Sequence, residues 1–309
     1  MHCIKLAALA ALSALALASS AASAATSYTL TPYAVAGSVS TRLWGLNDHG
    51  VLVGEDDSGG FIDDHGSITT LGSAGTYVAG ISNGGLAVGS DGTHSFFYAA
   101  GVLTPFDVAG AESTQIRGIS ANGRYVTGVF VTAGGTSDGF VWDTLTSTLT
   151  DMVPPAGTQY AVVQGVNDSG VATGNVTGGA GSVLFDSTTG TTAFFTGLDG
   201  LTLVRFRAID DAGDIGGWGA DGADAVGFID KAGEGMHTFD LGTTGGTYIA
   251  ALNNLGQAVG YYIDADDNTH SFTVGTSPVP EPSSAALMAF ALLAGGVRLA
   301  KRRGAGRDA

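Results

Sequence analysis

Gly80-Ile81-Ser82-Asn83-Gly84 has the G-x-S-x-G spacing of a nucleophile elbow, a sharp strand-to-helix turn that offers a serine hydroxyl to a base. The rest of the chain argues against that chemistry. The ten residues around Ser82 recur five more times, and its place is taken by Asn47, Ser120, Asn167, Asp210 and Asn253. A nucleophile does not exchange for asparagine, whereas a turn residue does, so no catalytic residue is assigned. Gly217-Trp218-Gly219-Ala220-Asp221-Gly222 spells a dinucleotide fingerprint, but no helix pattern follows and Asp221 and Asp224 would face the pyrophosphate. It reads as a glycine-rich turn. Asp264, Asp266 and Asn268 alternate as in the opening of a calcium loop, with Thr269 where the glycine belongs and Gly275 where the bidentate glutamate belongs. Glu55, Asp56 and Asp57 make a second acidic loop, and Ca2+ is the one cofactor these residue types admit. His49, His65, His94, His237 and His270 show no paired spacing, and Cys3 lies in the leader, so a zinc centre is not expected. Trp44 and Trp218 adjoin turns, where exposed indoles could stack on sugar rings, whereas Trp142 falls at an inward position expected to be core.

The elements that would position these residues follow from the repeat. "GLNDHGVLVG" (45–54), "GISNGGLAVG" (80–89), "GISANGRYVTG" (118–128), "GVNDSGVATG" (165–174), "AIDDAGDIGG" (208–217) and "ALNNLGQAVG" (251–260) are six versions of one hairpin corner. Their glycines Gly50, Gly85, Gly123, Gly170, Gly213 and Gly256 stand 35, 38, 47, 43 and 43 residues apart. Asn47, Ser82, Ser120, Asn167, Asp210 and Asn253, three positions earlier, suit the first position of a type I turn. Glycine at the fourth supplies the positive φ. Leu46, Ile81, Ile119, Val166, Ile209 and Leu252 precede the turns as the ends of buried strands. The third copy has an extra residue before Gly128, which a bulge could absorb. In the fifth, Gly216 replaces the usual valine, leaving that blade's outer strand the least well defined.

A second segment alternates with the turns: "GFIDD" (60–64), "SFFYA" (95–99), "GFVWD" (139–143), "SVLFD" (182–186), "GFID" (227–230) and "SFTV" (271–274). With a looser strand and the two hairpin arms, each repeat holds four short strands in about 40 residues, the size of a propeller blade. The chain starts mid-repeat and ends on a Phe segment, so its two ends would complete one blade between them and remove two open edges. The expected fold is an all-β, six-bladed β-propeller over residues 26–275. A β-sandwich or two small β-domains is the alternative.

Between residues 26 and 275 stand 26 acidic and six basic residues, a net charge of −20. A phosphate backbone would be repelled, so nucleic acid is not a partner. Residues 1–25 combine Lys5, an apolar run from Leu6 to Ala18 and an Ala22-x-Ala24 cleavage site, the pattern of a secretory signal peptide that the Sec translocon would take across the inner membrane. Residues 276–309 form a tail in which a Pro-Glu-Pro linker precedes an apolar stretch from Ala285 to Val297 and then Arg298, Lys301, Arg302 and Arg303. The stretch is short for a stable span, and the basic cluster would hold its end in the cytoplasm.

Val279, Pro280, Glu281 and Pro282, the apolar helix with Gly295-Gly296 and the terminal basic cluster together resemble the PEP-CTERM sorting signal of Gram-negative bacteria. The resemblance covers residues 278–303. It implies recognition by an exosortase, a transient single pass through the inner membrane, removal of the tail and delivery to the cell surface or a biofilm matrix. The repeats are similar to HAF extracellular repeats, an aromatic strand followed by A-x-I-N-x-x-G and a small apolar strand. The match spans residues 40–275 and is clearest at 139–143 with 165–174 and at 248–260. That resemblance implies an extracellular location and brings no catalytic activity. The expected function is a non-enzymatic surface or matrix protein that binds exopolysaccharide or other matrix components. A propeller-type glycoside hydrolase or lyase, with carboxylates clustered at the central channel, and a calcium-dependent adhesion module are the alternatives.

Overall fold

A computed structural model describes residues 26–152, 161–176, 181–222, 224–243 and 245–278. They hold 25 strands and no helix, and Ser27–Ser277 is one compact unit. Residues 1–25, read above as a signal peptide, and residues 279–303, read above as a sorting signal, lie outside the described residues. β1 (Thr26–Tyr33) is first in the chain. Blade 1 is β2 (Thr41–Leu46), β3 (Leu52–Asp56), β4 (Gly59–Asp64) and β5 (Ser67–Leu71), in that order from the inside. Blade 2 is β6 (Tyr77–Ile81), β7 (Ala87–Ser90), β8 (Ser95–Ala99) and β9 (Val102–Phe106). Blade 3 is β10 (Ala111–Ile119), β11 (Tyr125–Thr132), β12 (Ser137–Asp143) and β13 (Thr148–Met152). Blade 4 is β14 (Ala161–Val166), β15 (Val171–Val176), β16 (Gly181–Asp186) and β17 (Thr191–Phe195). Blade 5 adds a two-residue strand, β18 (Gly197–Leu198), before β19 (Leu201–Ile209), β20 (Ile215–Asp221), β21 (Asp224–Lys231) and β22 (Gly235–Phe239). Blade 6 is β23 (Thr247–Leu252), β24 (Ala258–Ile263) and β25 (Thr269–Pro278), with β1 as its outermost strand.

The six-bladed propeller expected from the repeat is the fold, and one blade is shared between the chain ends. Its phase differs from the expectation. Each blade runs hairpin arm, hairpin arm, Phe segment, looser strand, so the turn opens the blade. The N-terminal segment therefore lends one strand to the shared blade, and β2 and β3 belong to blade 1. Short antiparallel connections pair the Phe segment with the hairpin arm before it, which fixes this phase.

That pairing explains the second recurrent glycine. Gly54, Gly89, Gly128, Gly174, Gly217 and Gly260 sit directly across from Phe61, Phe96, Phe140, Val183, Phe228 and Phe272. A Cβ at any of the six would stand no more than 2.6 Å from a carbonyl oxygen of the innermost strand, at Arg42, Tyr77, Gln115, Val162, Arg205 or Tyr248. The cause is a bulge in every innermost strand, which brings that carbonyl towards the neighbouring strand. Glycine leaves the room, and the buried side chain opposite covers it. The extra residue of the third copy does not make its bulge, which all six share. It lengthens the turn, so that Ser120 N pairs with Tyr125 O five residues on, where Asn47 pairs with Val51 four on.

Gly216 is not a weak point either. It lies on the second strand of blade 5, which pairs along both edges, and Leu252 and Ile249 of blade 6 stand about where a side chain would begin. Between blades, serine and glycine alternate strictly at the start of the Phe segment: Gly60, Ser95, Gly139, Ser182, Gly227, Ser271. Ser95 Oγ donates to Thr114 O and accepts from Ile116 N of the next blade, both at 2.9 Å. Ser182 bridges Val204 O and Phe206 N at 2.8 Å, and Ser271 bridges Thr41 O and Leu43 N at 2.9 and 2.8 Å. At Gly60, Gly139 and Gly227 the next innermost strand lies against the glycine itself. The propeller is thus three pairs of blades.

Candidate functional site

The turn residues form a collar at one end of the channel. Gly50, Gly85, Gly123, Gly170, Gly213 and Gly256 have φ between 73° and 87°, and each donates its N–H to the carbonyl of the turn's first residue. The side chains of those first residues, Asn47, Ser82, Ser120, Asn167, Asp210 and Asn253, are buried. Most accept backbone N–H groups of their own turn, as Asn47 Oδ1 does from His49 and Val51 at 3.0 Å. Ser82 Oγ accepts from Leu86 N at 3.1 Å, a turn role. Asparagine can also donate, and Asn47 Nδ2 reaches Ser82 O, Asn167 Nδ2 reaches Asp210 O and Asn253 Nδ2 reaches Asn47 O at 3.1–3.2 Å.

The following turn position links blade to blade. Asp48 N donates to Asn83 Oδ1, Asn83 N to Ala121 O, Asn122 N to Asp168 Oδ1 and Asp168 N to Asp211 Oδ1. Asp211 N donates to Asn254 Oδ1 and Asn254 N to Asp48 Oδ1, closing a ring of six bonds of 2.7–3.0 Å. Burial, followed by the charges of Asp211 and Asp48, pushes the Asp168 carboxyl up, and burial does the same to Asp210. Asp168 therefore serves the ring, and Asp210 its own turn, at an electrostatic cost.

Below the collar, period-2 alternation places successive layers along the channel. Leu46, Ile81, Ile119, Val166, Ile209 and Leu252 line the first. Two residues earlier on each strand stand Trp44, Ala79, Arg117, Gln164, Arg207 and Ala250. The bulky members come from blades 1, 3 and 5 and the small or uncharged ones from blades 2, 4 and 6, because a narrow axis cannot take six large side chains. A further two residues back are Arg42, Tyr77, Gln115, Val162, Arg205 and Tyr248. Four of the six basic residues between 26 and 275 are thus on innermost strands. A cavity of about 70 Å³ runs from Asp48 and Asp211 to Arg117 and Arg207, and one of about 20 Å³ lies among Trp44, Tyr77, Arg117, Gln164 and Arg207.

The arginines are embedded in aromatic rings. The Arg42 guanidinium lies 5.4 Å from the Trp44 ring and 4.7 Å from Tyr261, Arg207 lies 5.1 Å from Trp44, and Arg117 lies 5.7 Å from Tyr77. Trp44 meets Tyr261 edge-on at 5.8 Å, Tyr261 stacks on Tyr248 at 4.9 Å, and Tyr248 meets Trp218 at 5.4 Å. Trp44 and Trp218 are therefore partly buried members of one array and not free rings beside turns. Trp142 packs edge-on against Phe106 between blades 2 and 3, half inside the core. Burial pushes the Arg207 guanidinium down from its ordinary value, with Arg117 and Arg42 adding to the effect.

Apart from Glu55, which pairs with Arg42 at the channel rim, the acidic loop side chains bond within their own loops and near neighbours. Asp264 Oδ1 accepts from Asp266 N and Asn268 N at 2.9 Å, and its Oδ2 lies 2.7 Å from His270 Nε2. These bonds, His270 first, hold the Asp264 carboxyl far below the usual range. Asp56 caps Ser58 and Gly59, Asp57 accepts from Val39, Ser40 and Ser38, and Glu55 lies 3.6 Å from Arg42. Among the described residues no three His, Cys, Asp or Glu side chains converge as metal ligands. The Gly217–Gly222 motif is strand β20 and the tight turn after it. The arginine cluster went unassigned in the sequence, although a signal was present: Arg117 and Arg207 each stand two residues before the apolar residue of a turn motif.

Architecture alone defines the class, a six-bladed β-propeller of antiparallel blades, five of them four-stranded and one with an added two-residue strand. No protein-family model matches the chain, and no curated protein sequence matches it. Solved structures similar to this chain include TolB from Acinetobacter baumannii, at 13% identity and a TM-score of 0.47 over 77% of this chain and 65% of that one. A TolB-like protein from Agrobacterium tumefaciens aligns at 12% identity and a TM-score of 0.49 over 65% and 75% of the two chains. An auxiliary nutrient binding protein from Bacteroides thetaiotaomicron aligns at 12% and 0.46 over 78% and 69%. The chain spans just under two thirds of the Acinetobacter protein, and these likenesses concern the fold. Among the described residues no helix is long and apolar enough to cross a membrane.

Proposed function

We propose that this chain is an exported, non-enzymatic binding propeller. The Sec translocon takes it across the inner membrane of a Gram-negative cell, and an exosortase sorts it through residues 279–303 to the cell surface or matrix. There it binds exopolysaccharide at the aromatic end of its channel. The observation that carries the binding reading is the array of Tyr77, Trp44, Tyr261, Tyr248 and Trp218 around Arg42, Arg117 and Arg207. Aromatic faces with adjacent fixed donors suit sugar rings and their hydroxyl groups. A glycosidase or lyase in this channel would need a carboxylate pair among the axis-facing side chains. Those positions hold arginines, aromatics, glutamines and aliphatic residues, and the collar carboxylates are engaged by backbone N–H groups.

Two measurements test the reading. The intact mass of the protein from the host's surface fraction is expected to show a chain ending near Pro280–Pro282. A full-length chain held in the inner membrane would refute the sorting. Sedimentation with the host's isolated exopolysaccharide is expected to retain the wild type and lose Trp44→Ala with Tyr261→Ala. Equal retention of both would refute the binding face.

A further inference from the structure

The acidic surface and the basic channel of this domain are in opposition, and that opposition has a chemical meaning. Arg42, Arg117 and Arg207 come from blades 1, 3 and 5, the alternate blades that contribute the bulky side chains. Arg42 has a carboxylate at 3.6 Å, whereas Arg117 and Arg207 have no ion-pair partner among the described residues. Arg117 Nη2 donates to Gln115 Oε1 at 2.6 Å, a neutral acceptor. Arg207 is held by the face of Trp44. Of the four buried side-chain polar atoms without a partner among the described residues, three belong to the channel, Arg42 Nε, Trp44 Nε1 and Arg117 Nε, and Trp44 and Arg117 line both cavities. A buried donor without a partner carries its full desolvation penalty, and a buried cation without a counter-charge carries more. A fold does not gather such groups from three blades for packing, because methionine or leucine would fill the same space at lower cost.

We infer that the channel is a receptor for one oxyanion, a carboxylate, sulfate or phosphate group, held between the guanidinium groups of Arg117 and Arg207 with the Trp44 indole N–H as a further donor and Arg42 at the rim. Planar guanidinium groups suit oxyanions because each offers parallel N–H donors to two oxygens. The cavity of about 20 Å³ takes only about one or two water-sized groups, so it fits the charged end of a ligand and not a sugar ring. Asp48, Asp168 and Asp211 at the collar repel an anion from that end, so the anion enters past Tyr77 and Arg42, where the charge of Glu55 is offset by its pairing with Arg42. The anion is either free in solution or borne by an acidic saccharide such as a uronate. In the second case the site deepens the binding reading above, and it rests on that reading only for the saccharide.

The test is calorimetric titration of the purified protein, in a chloride buffer of constant ionic strength, with sulfate, phosphate, glucuronate, an oligoglucuronate and a neutral glucan oligomer. Arg207→Met and Arg117→Met remove the clamp, and Arg124→Met removes a cation paired with Asp143 outside the channel. Saturable binding of a free anion by the wild type is expected, retained by Arg124→Met and weakened roughly tenfold or more in each channel variant. Binding of the oligoglucuronate alone, with the same loss, also supports the site and makes the saccharide its source. Thermal melts in anion-free buffer guard against misfolding. Arg207→Met is expected to melt at or above the wild-type temperature, since it relieves a half-buried charge with no ion-pair partner among the described residues. No saturable binding of any anion, or undiminished affinity in folded Arg207→Met, overturns the inference. Neutral glucan binding without anion binding overturns it while leaving the saccharide reading in place, and anion binding without any saccharide binding does the reverse.

Discussion

At the scale of single residues, the turn motif has two separable duties. Gly170 closes the turn at φ 81°, and a Cβ there would also stand 2.9 Å from Ser187 Oγ and 3.1 Å from the Tyr125 ring. Gly170→Val adds a branched side chain to both problems and is expected to cost about 3 kcal/mol or more in urea unfolding. Asp168 supplies one ring bond, so Asp168→Ala is expected to cost only about 1 kcal/mol, by leaving Asn122 N to water. Asp168→Asn keeps the accepting oxygen and removes a charge that Asp211 and Asp48 oppose, so it is expected to be at least as stable as the wild type at pH 7. A midpoint for Asp168→Asn as low as that of Asp168→Ala would show that the charge, and not the hydrogen bond, matters. The glycine's duty was legible in the sequence because a turn is a local object with its own residue chemistry. The ring was not, because its partners are 35 to 206 residues apart.

At the scale of strands and blades, side chains replace the backbone hydrogen bonds that neighbouring sheets cannot share. Ser182 Oγ satisfies Val204 O and Phe206 N, both buried in the face of blade 5. Ser182→Ala leaves both without a partner and is expected to cost about 2 kcal/mol, with hydrogen exchange at Phe206 N accelerating before the rest of β19. Unchanged protection there would mean that water replaces the hydroxyl. Gly260→Ala tests the bulge: its Cβ would press on Tyr248 O and the Phe272 ring, so a loss of about 2–4 kcal/mol is expected. The Phe segments and their count were legible from hydrophobic pattern alone. The phase of the blade was not. The repeat is cyclic in the sequence, and only the hydrogen bonds show that the break falls between Leu71 and Tyr77 and not between Asp56 and Gly59. The channel arginines were hidden for a related reason. Each is an isolated residue in its own strand, and they become a cluster only when the ring brings alternate blades together.

For the whole molecule, charge and closure decide stability together. The carboxyls of Asp151, Asp168, Asp210 and Asp230 are all raised, burial being the first cause and neighbouring carboxylates adding to it. A raised carboxyl favours folding when protonated, so its contribution is present at low pH and lost as pH rises through its folded value. Asp143 behaves in the opposite way. Hydrogen bonds from Arg124, then from Leu145 and Thr146, hold it down to about 2, and hydrogen bonds lower Asp57, Asp91, Asp186 and Asp264 as well. Their contribution is present above the ordinary carboxyl value of 3.8 and is lost as pH falls towards 2. Asp57 and Asp91 are exposed and Asp143, Asp186 and Asp264 are open to solvent on one side, so each counts for little, whereas the raised ones act with the self-repulsion of a domain at −20. The two sets predict a melting temperature that rises as pH falls through the folded values of the raised carboxyls towards the ordinary carboxyl value of 3.8, and drops below it as the lowered ones protonate. Closure makes the transition cooperative: β1 pairs with β25 and seals the ring, so disruption of that pairing exposes blade 6 and strains the collar bonds to Asp48. A chain lacking residues 26–33 is expected to melt at lower temperature and over a broader range, with its pH optimum unmoved because none of the raised carboxyls lies in β1. A shifted optimum in that variant would place the controlling charges at the seam between the chain ends, and a melting temperature that nowhere rose as pH fell from neutral towards about 4 would remove the raised carboxyls from the account altogether.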